Sequence, residues 1–106
     1  MEKWNNRKTE DLLRAILALK NIGEAKRFFR DLMTEEEIIE FSNRWKAAKM
    51  LNNKVSYVKI AQETGLSSTT IARVSKWLNK GMDGYKLILR RLQHHHNLSP
   101  SGKELR

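Results

Sequence analysis

Tyr57-Val58-Lys59-Ile60-Ala61-Gln62-Glu63-Thr64-Gly65-Leu66-Ser67-Ser68-Thr69-Thr70-Ile71-Ala72-Arg73-Val74-Ser75-Lys76 is the stretch that decides the fold. One glycine divides it into two short helices. Ser56 stands where an N-cap hydroxyl accepts a free first-turn amide, so a helix is predicted over about 57–64. Gly65 stops it with a residue that adopts left-handed backbone without a Cβ penalty. Ser67 caps a second helix, about 68–79, which Gly81 ends. Ile60, Leu66, Ile71 and Val74 fall where the two helices pack on each other, and none is charged. Ala61 is small where the helices cross. Small residue, glycine and β-branched residue at these spacings predict a helix-turn-helix over about 57–76. An ordinary helical hairpin rarely meets all these positions together.

The outer face of the second helix carries the function. Ser67, Ser68, Thr69, Thr70, Arg73 and Lys76 are expected to face the major groove of double-stranded DNA. Hydroxyls donate or accept at base edges, and Arg73 can pair with guanine or with phosphate. Lys59, Lys76 and Lys80 suit phosphate contacts, which position a protein rather than specify sequence. For each single lysine the plain alternative is a solvated surface charge. Lys54, Lys86, Arg90 and Arg91 are lesser candidates.

The charge distribution agrees. The 106 residues carry a formal charge of +9. Residues 54–91 hold eight Lys/Arg against two acids, whereas residues 1–53 hold eleven against nine. The excess therefore concentrates on the helix-turn-helix, and a polyanionic partner follows, nucleic acid before an anionic membrane surface. No cysteine is present, so disulfides, thiolate metal sites and cysteine catalysis are excluded. The first residues lack an apolar signal-peptide core, no run approaches a membrane span, and a cytoplasmic location is expected.

Outward from this unit the pattern stays helical. A first helix is predicted over about 10–20, capped by Thr9, with Leu12, Leu13, Ile16, Leu17 and Leu19 on a broad apolar face. Gly23 is expected to break it before a short helix over about 24–32. Thr34 with Glu37 forms a capping box, and Glu35, Glu36 and Glu37 suit the positive end of the helix dipole better than acid–base work. Ile38, Phe41, Trp45 and Ala48 continue that third helix as a stripe, ended at Asn52-Asn53. A sixth helix is predicted over about 84–93. The expected organisation is one helical DNA-binding domain over 1–96 and a flexible C-terminal tail over 97–106.

From about Leu32 to Leu78 the chain resembles the Trp-repressor superfamily, and within it the Trp-repressor-like proteins of the YerC/YecD type. The resemblance rests on Leu32-Met33-Thr34-Glu35-Glu36-Glu37, Asn43-Arg44-Trp45, Ser56, Ile60, Glu63-Thr64-Gly65 and Ser68-Thr69-Thr70-Ile71-Ala72-Arg73. It implies an all-α fold of six helices in an intertwined homodimer. The outer helices would form the dimer core, and two recognition helices would lie about one DNA turn apart to read a palindrome. A small lone domain buries only a modest core, which independently favours oligomerisation.

The resemblance also implies a place for an effector. In Trp repressor, tryptophan is the corepressor and binds between the long helix and the recognition helix. Arg44 and Arg73 match the two arginines flanking that pocket, and Thr34 matches a threonine that contacts it through backbone. Two positions depart. Val74 stands where the repressor has glycine, and Trp77 where it has the serine that helps hold the amino group. A bulky indole at 77 would fill the pocket and remove a polar partner, which a site built for a charged amine does not tolerate cheaply. Free tryptophan is therefore not expected to be the ligand. A different small effector held by Arg44 and Arg73 is the rival reading. Salt bridges for Arg44 and DNA contact for Arg73 are preferred.

His94-His95-His96 cannot all point one way on a helix, so a surface role is preferred to a metal site. Trp4, Trp45 and Trp77 are read as core or interface. No phosphate loop and no nucleophile–base–orienter set is found, so neither enzymatic activity nor a cofactor nor a metal is expected. The sequence thus reads as a dimeric DNA-binding transcription regulator, a repressor. The alternatives are a helix-turn-helix used as a protein–protein interaction module and a regulator under a different effector.

Overall fold

The computed structural model of the chain describes residues 2–98, and among these there are six helices and no strand. They are α1 (Arg7–Leu17), α2 (Ile22–Leu32), α3 (Glu35–Asn52), α4 (Tyr57–Thr64), α5 (Ser68–Lys80) and α6 (Gly84–Leu98). The chain divides into two compact units, residues 1–39 and 40–106. No helix among the described residues is long and apolar enough to cross a membrane.

The N-terminal unit begins earlier than the sequence suggests. Asn6, not Thr9, caps α1: its side-chain oxygen accepts from the Thr9 amide at 3.0 Å. Thr9 sits inside the first turn, and its hydroxyl donates to the Trp4 carbonyl. Asparagine and threonine are both capping residues, and the preceding turn selects between them. α1 correspondingly ends at Leu17 rather than near Lys20. The break before α2 is made by Asn21, which caps that helix by accepting from the Glu24 amide at 2.9 Å. Gly23 lies within the first turn of α2 rather than breaking the chain. Neither α1 nor α2 has a buried residue, and Leu17 and Ile22 are 84% and 74% exposed.

The start of α3 follows the capping-box reading. The Thr34 amide donates to Glu37 Oε1 at 2.9 Å, and the Glu37 amide donates to Thr34 Oγ1 at 3.1 Å. Two otherwise orphaned donors are satisfied reciprocally.

The second unit holds the core. Ala47 and Ala48 of α3, Ile60 of α4, Leu66 of the turn, and Ile71 and Val74 of α5 form one buried cluster. The adjacent alanines of α3 are fully buried, as are the larger Ile60, Ile71 and Val74 of the same cluster. Trp45, Met50, Leu51, Val55, Ala61 and Tyr85 pack around this cluster. Trp45 of α3 stacks on Tyr85 of α6, with ring centroids 6.2 Å apart. Burial pushes the Tyr85 phenol above its ordinary value, and the Arg44 guanidinium partly offsets this.

α6 continues to Leu98, beyond the expected end near Gln93. Helix therefore covers His94, His95 and His96 and the first two residues assigned to the tail, because no glycine or proline interrupts the chain before Pro100. The rest of the expected tail, 99–106, lies outside the described residues.

Candidate nucleic-acid interface

Local chemistry builds the helix-turn-helix from its ends. Ser56 caps α4 by accepting from the Lys59 amide at 3.2 Å. α4 ends at Gly65, whose φ of 73° is left-handed and whose amide donates to the Ala61 carbonyl at 2.9 Å. Thr64 adds a lock that the sequence reading did not assign. Its buried hydroxyl donates to the Ile60 carbonyl at 2.8 Å and accepts from the Leu66 amide at 3.2 Å, spanning the turn. A threonine in a last helical turn beside glycine is the signal that would have found it.

Beyond the turn, Ser67 caps α5. Its hydroxyl accepts from the Thr70 amide at 3.1 Å and lies 3.1 Å from the Thr70 hydroxyl. All four apolar positions read from the sequence point inward. Ile60, Ile71 and Val74 are fully buried, and Leu66 is nearly so. The opposite face of α5 is open: Ser67, Ser68, Thr69, Arg73, Lys76 and Lys80 are exposed and Thr70 is half-buried. One helix thus presents four hydroxyl residues across its N-cap and first turn and three cations along its length.

The cations differ in what they face. Among the described residues, no acidic group lies in ion-pair range of Arg73, Lys76 or Lys80. Lys59 is different: its Nζ lies 3.5 Å from Glu63 Oε2, and Lys46 of α3 approaches the other oxygen, also at 3.5 Å. The i,i+4 spacing of Lys59 and Glu63 was legible in the sequence. Exposed pairs of this kind contribute about 0–1 kcal/mol, so they do not hold Lys59 against a phosphate.

Of the residues assigned to an effector pocket, Arg73 is exposed on α5. Thr34 belongs to the N-terminal unit and is committed to capping α3. Val74 is fully buried in the core. Arg44 and Trp77 are brought together: the guanidinium carbon lies 5.6 Å from the Trp77 ring centroid and 5.3 Å from that of Phe41. Arg44 Nε also donates to Glu40 Oε2 at 3.1 Å. Sequence reasoning expected salt bridges for Arg44. It did not identify Phe41 and Glu40 as its neighbours, although three- and four-residue spacing on one helix predicts both.

Comparison with known proteins agrees with this architecture. The family model of the Trp repressor protein matches residues 7–93. The uncharacterised protein YerC of Bacillus subtilis is 40% identical over 93 residues, spanning 88% of this chain and 89% of that protein. Among solved structures, a TrpR-like protein from Eubacterium eligens superposes with a TM-score of 0.83 at 44% identity, covering 86% of this chain and 94% of the other. A structure from Staphylococcus aureus described as a candidate Trp repressor gives 0.81 at 41% identity, covering 86% and 91%. With a family match over residues 7–93 and relatives of 40–44% identity over most of its length, the chain belongs to the Trp repressor family.

Proposed function

We propose that the protein is a sequence-specific, double-stranded DNA-binding transcription regulator, a repressor, acting as a homodimer in the cytoplasm. The observation that carries this is α5, anchored on its inner face by Ile71 and Val74 and open on its outer face. Its first turn enters the major groove, with Ser67, Ser68, Thr69, Thr70 and Arg73 at base edges. Lys76, Lys80 and Lys59 bind phosphates and set register. Residues 1–96 act as one domain, completed when a second copy covers the apolar side chains that α1 and α2 leave exposed.

Free tryptophan is not the effector in this reading. Trp77 already places an indole against Arg44, the arginine that would receive such a ligand. Regulation needs no cofactor, metal or catalysis.

Selection of bound fragments from sheared genomic DNA, at near-physiological salt and without tryptophan, tests the proposal. Enrichment of a two-fold symmetric site supports it. Binding without enrichment means a backbone-only binder or a form awaiting another effector, and overturns the effector-free reading. Exposed Tyr57 and Val58 on α4 favour a second reading, in which the helix-turn-helix docks on another protein. Salt separates the two. DNA affinity should fall with a log–log slope of about −0.9 per phosphate contacted, whereas an apolar protein contact is far less sensitive.

A further inference from the structure

We propose that Arg44 and Trp77 form a clamp that fixes the tilt of the recognition helix α5 against α3, making both of them positioning residues for DNA reading. The inference rests on the assignment of α5 as the reading helix and adds what holds it at its working angle.

The anchors of α5 are unevenly placed. Ile71 and Val74 sit in the buried cluster with Ala47, Ala48, Ile60 and Leu66. Both lie in the first seven residues of a helix that runs from Ser68 to Lys80. Leu78 is buried farther along but is not part of that cluster. A helix held by that cluster alone could pivot about it, so its angle depends on what holds the second half. Ser68 lies six residues before Val74, roughly 9 Å at 1.5 Å per residue. A pivot of about 10° would therefore move the reading end by ~1.5 Å, which exceeds the distance tolerance of a hydrogen bond.

Trp77 joins Leu78 in anchoring the second half of the helix, three residues beyond Val74. Its ring faces the Arg44 guanidinium of α3 at 5.6 Å, with Phe41 in range of the same cation at 5.3 Å. The guanidinium is itself fixed on α3 by the 3.1 Å bond to Glu40. A planar cation that interacts with two rings and is oriented by a carboxylate has little freedom left. All four side chains belong to the same compact unit, so the clamp is internal to it.

The helix also ends tightly behind this anchor. The Gly81 amide donates to the Trp77 carbonyl at 3.0 Å, and a Cβ at Gly81 would lie 2.4 Å from that oxygen. The backbone of Trp77 is thus held at the end of α5 while its side chain is held on α3. Trp77 lies four residues after Arg73, which places the anchor on the same side of α5 as that DNA-facing cation.

The test uses the full chain with Trp77→Ala, Trp77→Phe, Arg44→Gln and the Arg44→Gln/Trp77→Ala double variant. Two readouts are taken: amide hydrogen exchange along α5 without DNA, and affinity for a selected DNA site. The expected result is faster exchange at 77–80 in both single variants with exchange at 71–74 and helical content unchanged. Each single variant weakens DNA binding about three- to tenfold. The double variant is no worse than the poorer single one, because one interaction has been removed twice. Trp77→Phe keeps a π face and restores both readouts to within about twofold of wild type. Additive losses, unchanged exchange at 77–80, or uniform acceleration over all of α5 would overturn the clamp. The exchange readout needs no DNA. Failure to select any DNA site therefore sinks the regulator reading, while the clamp is still judged by its own coupling.

Discussion

Arg73 is the residue at which the proposed reading surface is most directly tested. It is exposed on α5, faces no acid among the described residues, and leaves the core to its neighbours Ile71 and Val74. Arg73→Ala should therefore weaken binding to a selected site by about 1–3 kcal/mol and relax its specificity, with circular dichroism unchanged. Lys80→Ala serves as the contrast, lowering affinity evenly across sequences and reducing the salt slope by about one phosphate contact. An Arg73→Ala protein with wild-type affinity would remove that residue from the interface. The residue types of this surface were legible in the sequence, since a capped helix with an apolar inner face leaves the remaining positions outside. The partners of Arg44 were less so. Its spacing to Glu40 and Phe41 is local, but its meeting with Trp77 joins positions 33 residues apart that no local pattern relates.

Among the elements, α3 is the one whose beginning the sequence marks most completely. Thr34 and Glu37 satisfy each other's backbone amides at 3.1 Å and 2.9 Å. Thr34→Ala should cost about 0.5–2 kcal/mol of stability, read as a lower urea midpoint with an unchanged slope. No change in midpoint would show that the exposed box contributes nothing there. α1 and α2 were legible as helices but not in their bounds. Asn6 and Asn21 cap them, where a linear reading gives Thr9 as the cap of the first helix and Gly23 as the break after it. Which of several nearby capping residues is used depends on the turn that leads into it, as the Thr9 bond to the Trp4 carbonyl illustrates. α6 ran past its expected end for the opposite reason: no glycine or proline stands between Gly84 and Leu98 to stop it.

For the whole molecule, the apolar side chains of α1 and α2 set the assembly question. Leu17 and Ile22 are largely exposed, and neither helix buries a residue within the chain. If a second copy covers them, the melting temperature should rise with protein concentration. Leu17→Glu should then shift the sedimenting species from dimer to monomer and lower that temperature. A wild-type chain that sediments as a monomer, with a concentration-independent melting temperature, would overturn the dimer. The sequence by itself determined the all-helical class, the helix-turn-helix with its four inward residues, and the polar outer face of α5. These depend on caps, a glycine and a 3.6-residue period, all of which act within a few residues. Only the tertiary structure decided that Ala47 joins Ala48 in the buried core and that Trp77, which the resemblance places in the same pocket as Arg44, faces its guanidinium at 5.6 Å. The alanine packing and the Trp77 contact join residues far apart in sequence, and the choice among possible partners is made by which apolar surfaces meet when the helices pack.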